Sequence, residues 1–327
     1  MTTSPWKLEL AAAVLTLSAT LVAHEVVAQT YPVKPIRIVV GFAAGSGTDV
    51  TARLLAQKLS QEFGQQAIVE NRTGAGGAIA TERVAAAAPD GYTLLLITAA
   101  DTAQPAVRAK LPYNLERDLA PVSLVATGPY VLVVHPSVPV RNVKELVTLA
   151  RSHPGKLTYG SSGIGSSSFF AGEMLKTMAN VDIVHITYKG SSQVVVDNAA
   201  GSIALSYPGI TAAQPMLIAG KLRALGVTGL KRASLSPSVP TIDESGLPGF
   251  NKVGWYGISA PAGVAPAILQ QLNAAIVKVG NSEEMKSVLA KQGLDLQTNT
   301  PEQFAEMISR EMAKNIELAK SIGLKPQ

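Results

Sequence analysis

Apolar positions along this chain switch repeatedly between strand-like and helix-like spacing, and each switch falls at small residues. Ile36, Ile38, Val39 and Val40 form a short apolar run, GFAAGSGTD follows, and Val50, Leu54, Leu55 and Leu59 then recur on one helical face. The pattern predicts strand, small-residue loop, helix. It returns as a strand at 66–70, the Gly-rich stretch NRTGAGGAIA, a helix over 78–88 and a near-continuous apolar strand at 92–97. Strand, helix, strand, helix, strand implies a parallel sheet.

Residues 101–118, with Pro105 and Pro112, read as irregular, and two extended segments at 122–126 and 130–134 flank Gly128-Pro129. A helix capped by Asn142 with Glu145 three residues on opens a second run of the same kind. Its strands fall at 157–160, 182–187, 202–207 and 222–228. Two of its loops, SSGIGSSS and Tyr188-Lys189-Gly190-Ser191-Ser192, are again small-residue helix starts, and a helix over 211–219 follows Pro208-Gly209. Residues 234–250, with three prolines, read as loop. A strand at 253–258 and three helices complete the chain: 266–279, one capped by Asn281, and a long one opened by Thr300-Pro301 with Gln303 in a capping box, after a short strand at 294–296.

The expected fold class is α/β, two domains with two mixed sheets flanked by helices. A late helical tail with little sheet of its own packs back on the first domain, so the chain crosses twice, near Gly128 and Gly254, through a two-strand hinge. The domains expected are 29–128 with 254–327, and 129–253. Four small-residue loops then point into a cleft between them, where open α/β sheets bind ligands.

Composition narrows the chemistry. Of 327 residues, 47% are apolar and 16% charged, so a packed globular chain is expected rather than a disordered one. The net charge of +5 is scattered, with no basic run interleaved with aromatics, which argues against nucleic acid. There is no cysteine, hence no disulfide, thiolate metal site or cysteine nucleophile. Lys7, an uncharged run over residues 10–23 and Val26-Val27-Ala28 read as an export signal, residues 1–28, cleaved after Ala28. The run is shorter than the ~20 residues of a membrane span.

No Gly-x-Ser-x-Gly elbow occurs, and His135, His153 and His185 stand apart with no zinc-type spacing. GSGTDV and GAGGAI each lack the third glycine of a dinucleotide fingerprint, and no Gly-Lys-Ser/Thr follows. The expectation is no cofactor, no metal and no catalytic residue. What remains is a set of loops rich in backbone N–H groups and hydroxyls, among them Ser46, Thr48, Ser161, Ser162, Ser166, Ser167, Ser168, Ser191 and Ser192, with Lys189 the one basic side chain. Such loops suit a carboxylate. They also suit ordinary helix caps, with Thr48 or Asp49 as the cap at the first of them. Asp49 argues against a free phosphate at the first of them.

The stretches YPVKPIRIVVGFAAGSGTD, VENRTGAGGAIATERVAAAAPDGYTLLL, LPYNLERDLAPVSLVA, GKLTYGSSGIGSSSFFAGEML and VHITYKGSSQVVVD, with VHPSVPV and IAGKLRALGVT, resemble the solute receptors of tripartite tricarboxylate transporters, the Bug-type family. The resemblance spans the chain after the signal. It implies a periplasmic, type II binding-protein fold that closes on a small carboxylate and hands it to membrane permease subunits. By the same resemblance one carboxylate is held by Phe42, Ala43, Ala44, Gly45, Ser46, Gly47 and Thr48. The rest of the ligand falls to Ser161, Ser162, Gly163, Gly165, Ser166 and Ser168 and to the turn of Tyr188, Lys189 and Gly190.

Family members often carry His where this chain has Phe169, and an acid where it has Pro208 beside Tyr207. Losing that acid argues against an amine on the ligand, and Phe169, Phe170 and Tyr207 offer an apolar wall. The expectation is a monomer binding a dicarboxylate without an amine, an aromatic one such as terephthalate being a first trial. A core role for Phe169 is the alternative at that position. For the whole chain, the alternatives are a ligand-presenting sensor component and an enzyme on the same fold.

Overall fold

In the computed structural model, which describes residues 31–188 and 190–326, β1 (Ile36–Val40), β2 (Ala67–Asn71) and β3 (Thr93–Thr98) lie side by side in parallel. Ile38 faces Val69 on one side and Leu94 on the other. β1 is central among the three, and all its residues but Arg37 are buried, as a strand covered by helices on both faces requires. The export signal lies outside the described residues. Of the short unit ending at Val33, Tyr31–Val33 is described; it has no regular secondary structure and a cis Tyr31–Pro32 bond.

Residues 34–327 form one unit built on two sheets. The remaining strands are β4 (Leu119–Pro129), β5 (Val131–Val134), β6 (Thr158–Ser161), β7 (Val184–Thr187), β8 (Leu205–Ser206), β9 (Arg223–Val227), β10 (Val253–Pro261) and β11 (Asp295–Leu296). The six-stranded sheet has the order β11-β4-β10-β3-β1-β2, with β10 antiparallel to both its neighbours. The five-stranded sheet has the order β7-β6-β8-β5-β9, with β6 parallel to β7 and β8. Both sheets are mixed.

The helices are α1 (Gly47–Phe63), α2 (Ala78–Ala85), α3 (Gln104–Val107), α4 (Leu115–Asp118), α5 (Val143–Ser152), α6 (Ser167–Ala179), α7 (Ser191–Ala199), α8 (Ile210–Ile218), α9 (Pro266–Gly280), α10 (Glu283–Lys291) and α11 (Pro301–Ser321). α11 opens with the capping box of Thr300 and Gln303. It buries Phe304 and Ile308 against Val39, Leu95, Leu124 and Trp255 of the larger sheet. Its last turn carries Ala319 into a cluster with Phe169 and Phe170 of α6. Among the described residues no helix is long and apolar enough to cross a membrane.

β4 and β10 carry the chain between the sheets. Gly128 pairs with Gly254 in antiparallel register, one step from Pro129 and Val253, and β5 begins two residues after β4 ends. Both positions are tight, and at Gly128 the obstacle is backbone. A Cβ on Gly128 would lie 2.8 Å from the Gly293 carbonyl oxygen, and one on Gly254 would lie 2.9 Å from the Tyr130 hydroxyl.

Four local expectations need correction. Residues 101–118 are not irregular throughout: Pro105 sits in the first turn of α3, where its missing N–H costs no helix bond, and Asn114 caps α4. The strand expected over 202–207 is reduced to Leu205–Ser206. α10 is capped by Ser282, whose hydroxyl accepts from the Met285 amide, while Asn281 ends the preceding helix with its side chain on the Val277 carbonyl. The Gly74–Gly77 turn, expected to face the cleft, packs instead against Gln104, whose amide donates to the Gly76 carbonyl.

Candidate functional site

A cavity of about 450 Å³ opens where loop ends of the two sheets meet. Its first wall is the start of α1. The cap is Ser46 and not Thr48 or Asp49, which lie inside the first turn: extended at φ −68° and ψ 159°, Ser46 accepts from the Asp49 amide at 3.3 Å. Asp49 itself is buried and shapes the loop. One carboxylate oxygen accepts from the Gly45 amide and Arg53 Nε, both at 2.9 Å, and the other from Asn71 Nδ2 at 2.8 Å; that amide also reaches the Phe42 carbonyl at 3.0 Å. Burial raises the Asp49 pKa, but hydrogen bonds from Arg53, Gly45 and Asn71 outweigh it, and the carboxyl sits below its ordinary value.

Asp49 therefore occupies the Gly45 amide, and the Ser46 amide turns back to the Ala43 carbonyl. Phe42, Gly47 and Thr48 line the cavity; Ala43, Ala44, Gly45 and Ser46 do not. The amides of Gly47 and Thr48, in the first turn, are donors with no acceptor inside the helix. Tyr256 also lines the cavity, and burial raises the pKa of its hydroxyl.

The second wall repeats this design at α6. Ser166, at φ −71° and ψ 157°, caps the helix on the Phe169 amide, and its hydroxyl lies 3.0 Å from that of Ser168. Ser168 in turn accepts from the Ser162 amide at 3.2 Å. Ser162, Ser166, Ser167 and Ser168 line the cavity, as does Tyr130, whose hydroxyl burial pushes up to about 12.

Ser161, Gly163, Gly165 and Phe169 do not line it. Ser161 is fully buried, 2.7 Å from His185 Nε2, and Phe169 packs edge-on against His185 and Phe170. Burial holds the His185 pKa below its ordinary value, against the raising effect of Glu173. The apolar wall assigned to Phe169 and Phe170 is thus corrected: neither ring lines the cavity, and both are buried in a cluster with Ala103, Ala106 and Ala319.

Ser191, at the start of α7, reaches the cavity, whereas Tyr188 and Gly190 do not; Tyr188 is spent on Asp197 at 2.9 Å. Lys189 lies outside the described residues. Tyr207 and Pro208 line the cavity, followed by Gly209–Ala212 at the start of α8. The Tyr207 hydroxyl is buried without a hydrogen-bond partner.

Three further groups were missed. Thr98 ends β3 and Ala99 and Ala100 follow it, at the strand end where such sheets present ligands, and this was available as a signal. Trp255 and Tyr256 enter from the crossing, and Gln292, Gly293 and Leu294 from the turn after α10. Both polar atoms of the Gln292 side-chain amide are buried and unpartnered. Among the described lining residues none is charged, and the described residues hold no group of three or more His, Asp or Glu side chains arranged for a metal.

The sequence profile described as "Tripartite tricarboxylate transporter family receptor" matches residues 51–324. A UPF0065 protein from the tcbD-tcbE intergenic region of Pseudomonas sp. strain P51 is 38% identical over 282 residues, 86% of this chain and 84% of its own. Protein BugT of Bordetella pertussis is 35% identical over 308 residues, 93% and 94%. An R. palustris protein solved with adipate superposes with a TM-score of 0.80 at 34% identity, covering 91% of this chain and 100% of its own. A Rhodopseudomonas palustris protein solved with bound malate gives 0.76 at 30%, covering 88% and 100%. The periplasmic binding protein BugD gives 0.76 at 31%, covering 91% and 100%. The chain belongs to the tripartite tricarboxylate transporter receptor family.

Proposed function

We propose that this protein captures a dicarboxylate without an amine in the periplasm, after removal of residues 1–28, and delivers it as a monomer to the permease subunits of a tripartite tricarboxylate-type transporter. Residues 29–128 with 254–327 act as one lobe, 129–253 as the other, and the ligand is held between them. The observation that carries this reading is a cavity ringed by helix starts and hydroxyls with no charged side chain among the described lining residues. Neutral donors suit a carboxylate, and each hydrogen bond to an ionised acceptor contributes about 1.5–3 kcal/mol. A few of them, less the cost of association, reach micromolar affinity, about −8 kcal/mol. An ammonium finds no carboxylate among the described lining residues. The adipate and malate held by two relatives are of the proposed class.

Phe42, Tyr207, Trp255 and Tyr256 put aromatic rings among the lining residues, so terephthalate belongs in the trial. Thermal-shift screening of succinate, adipate and terephthalate against aspartate and glutamate tests the reading. Stabilisation by the amine-free acids is expected; stabilisation by the amino acids alone overturns it.

A further inference from the structure

Gln292 stands out in the cavity because its backbone is committed and its side chain is not. Its amide N–H closes the end of α10 on the Leu289 carbonyl at 2.9 Å, and its own carbonyl accepts from the Thr211 hydroxyl of α8 at 3.3 Å. The next residue is fixed as well. Gly293 has φ +74°, and a Cβ there would lie 2.4 Å from Ile210. The side-chain amide is left beside the start of α1, with Oε1 3.4 Å from the position a Gly47 Cβ would take, and neither of its polar atoms has a partner.

A primary amide offers two donors and one acceptor. A carboxylate only accepts, so it satisfies Nε2 and leaves Oε1 buried and unpaired. An ammonium only donates and adds a charge with no acidic partner among the described lining residues. A hydroxyl does both. We propose that Gln292 is the specificity-determining residue of this cavity and selects a dicarboxylate bearing a hydroxyl next to the carboxylate held at the start of α1. This rests on the carboxylate reading above.

The test is calorimetric titration with matched pairs, succinate against each enantiomer of malate and adipate against 2-hydroxyadipate, on the wild type and on Gln292→Leu. One hydroxylated member of a pair is expected to bind about tenfold tighter than its parent acid, and in Gln292→Leu that ratio falls to about one. Far-UV circular dichroism checks that the variant is folded. Parent acids that bind with no hydroxyl preference, or a preference that survives the substitution, overturn the role of Gln292 and leave the carboxylate reading standing. Failure of every acid to bind overturns both.

Discussion

Trp255 Nε1 donates to one carboxylate oxygen of Glu311 at 2.9 Å, and Lys252 Nζ meets the other at 2.6 Å. This joins the middle of α11 to the strand by which the chain returns to the larger sheet. Lys252, 5% exposed, also reaches Asn315 at 2.9 Å and lies over the Phe170 ring. Removing the carboxylate strands a buried ammonium.

Glu311→Gln is therefore expected to lower unfolding stability by roughly 3 kcal/mol, because an uncompensated buried charge costs more than the pair contributes. Lys252→Met combined with Glu311→Leu recovers most of the loss. Urea unfolding at neutral pH measures both, and a double variant no better than the single one contradicts the argument.

Asp49 gives a pH-dependent prediction. Its folded pKa lies below the unfolded value, so its contribution to stability is fully present above about pH 3.9 and is lost as the pH falls through the lowered value. Asp49→Asn should be less stable than wild type by about 1–3 kcal/mol at pH 7. The gap should close as the pH is taken from about 4 toward 2. Chemical unfolding across that window reads it, and a constant gap would speak against the clamp.

Phe169 tests the correction made at α6. If it is core, Phe169→Ala lowers stability by about 3–5 kcal/mol, while the order of preference among aliphatic and aromatic diacids is unchanged. A folded variant that lost only the aromatic ligands would return Phe169 to the cavity wall.

What was legible along the chain was local. The IRIVV strand, the cap at Asn142 and the box at Thr300 and Gln303 all follow from neighbours within one turn. The shift from Asn281 to Ser282 is the limit of such reading, since both residue types cap helices and only the end of the preceding helix decides between them. Ser161 and Ser162 look alike in sequence, yet Ser161 is the buried last residue of β6, bonded to His185, and only Ser162, just past the strand, reaches the cavity. Gln292 follows an exposed polar helix end, and nothing beside it marks an amide that tertiary packing leaves unpaired.

Native mass spectrometry of the protein as purified from its periplasm tests the central claim most directly. The mass released on unfolding should be that of a small acid with two carboxylates and no nitrogen. A released amino acid, or any ligand without a carboxylate, would contradict it.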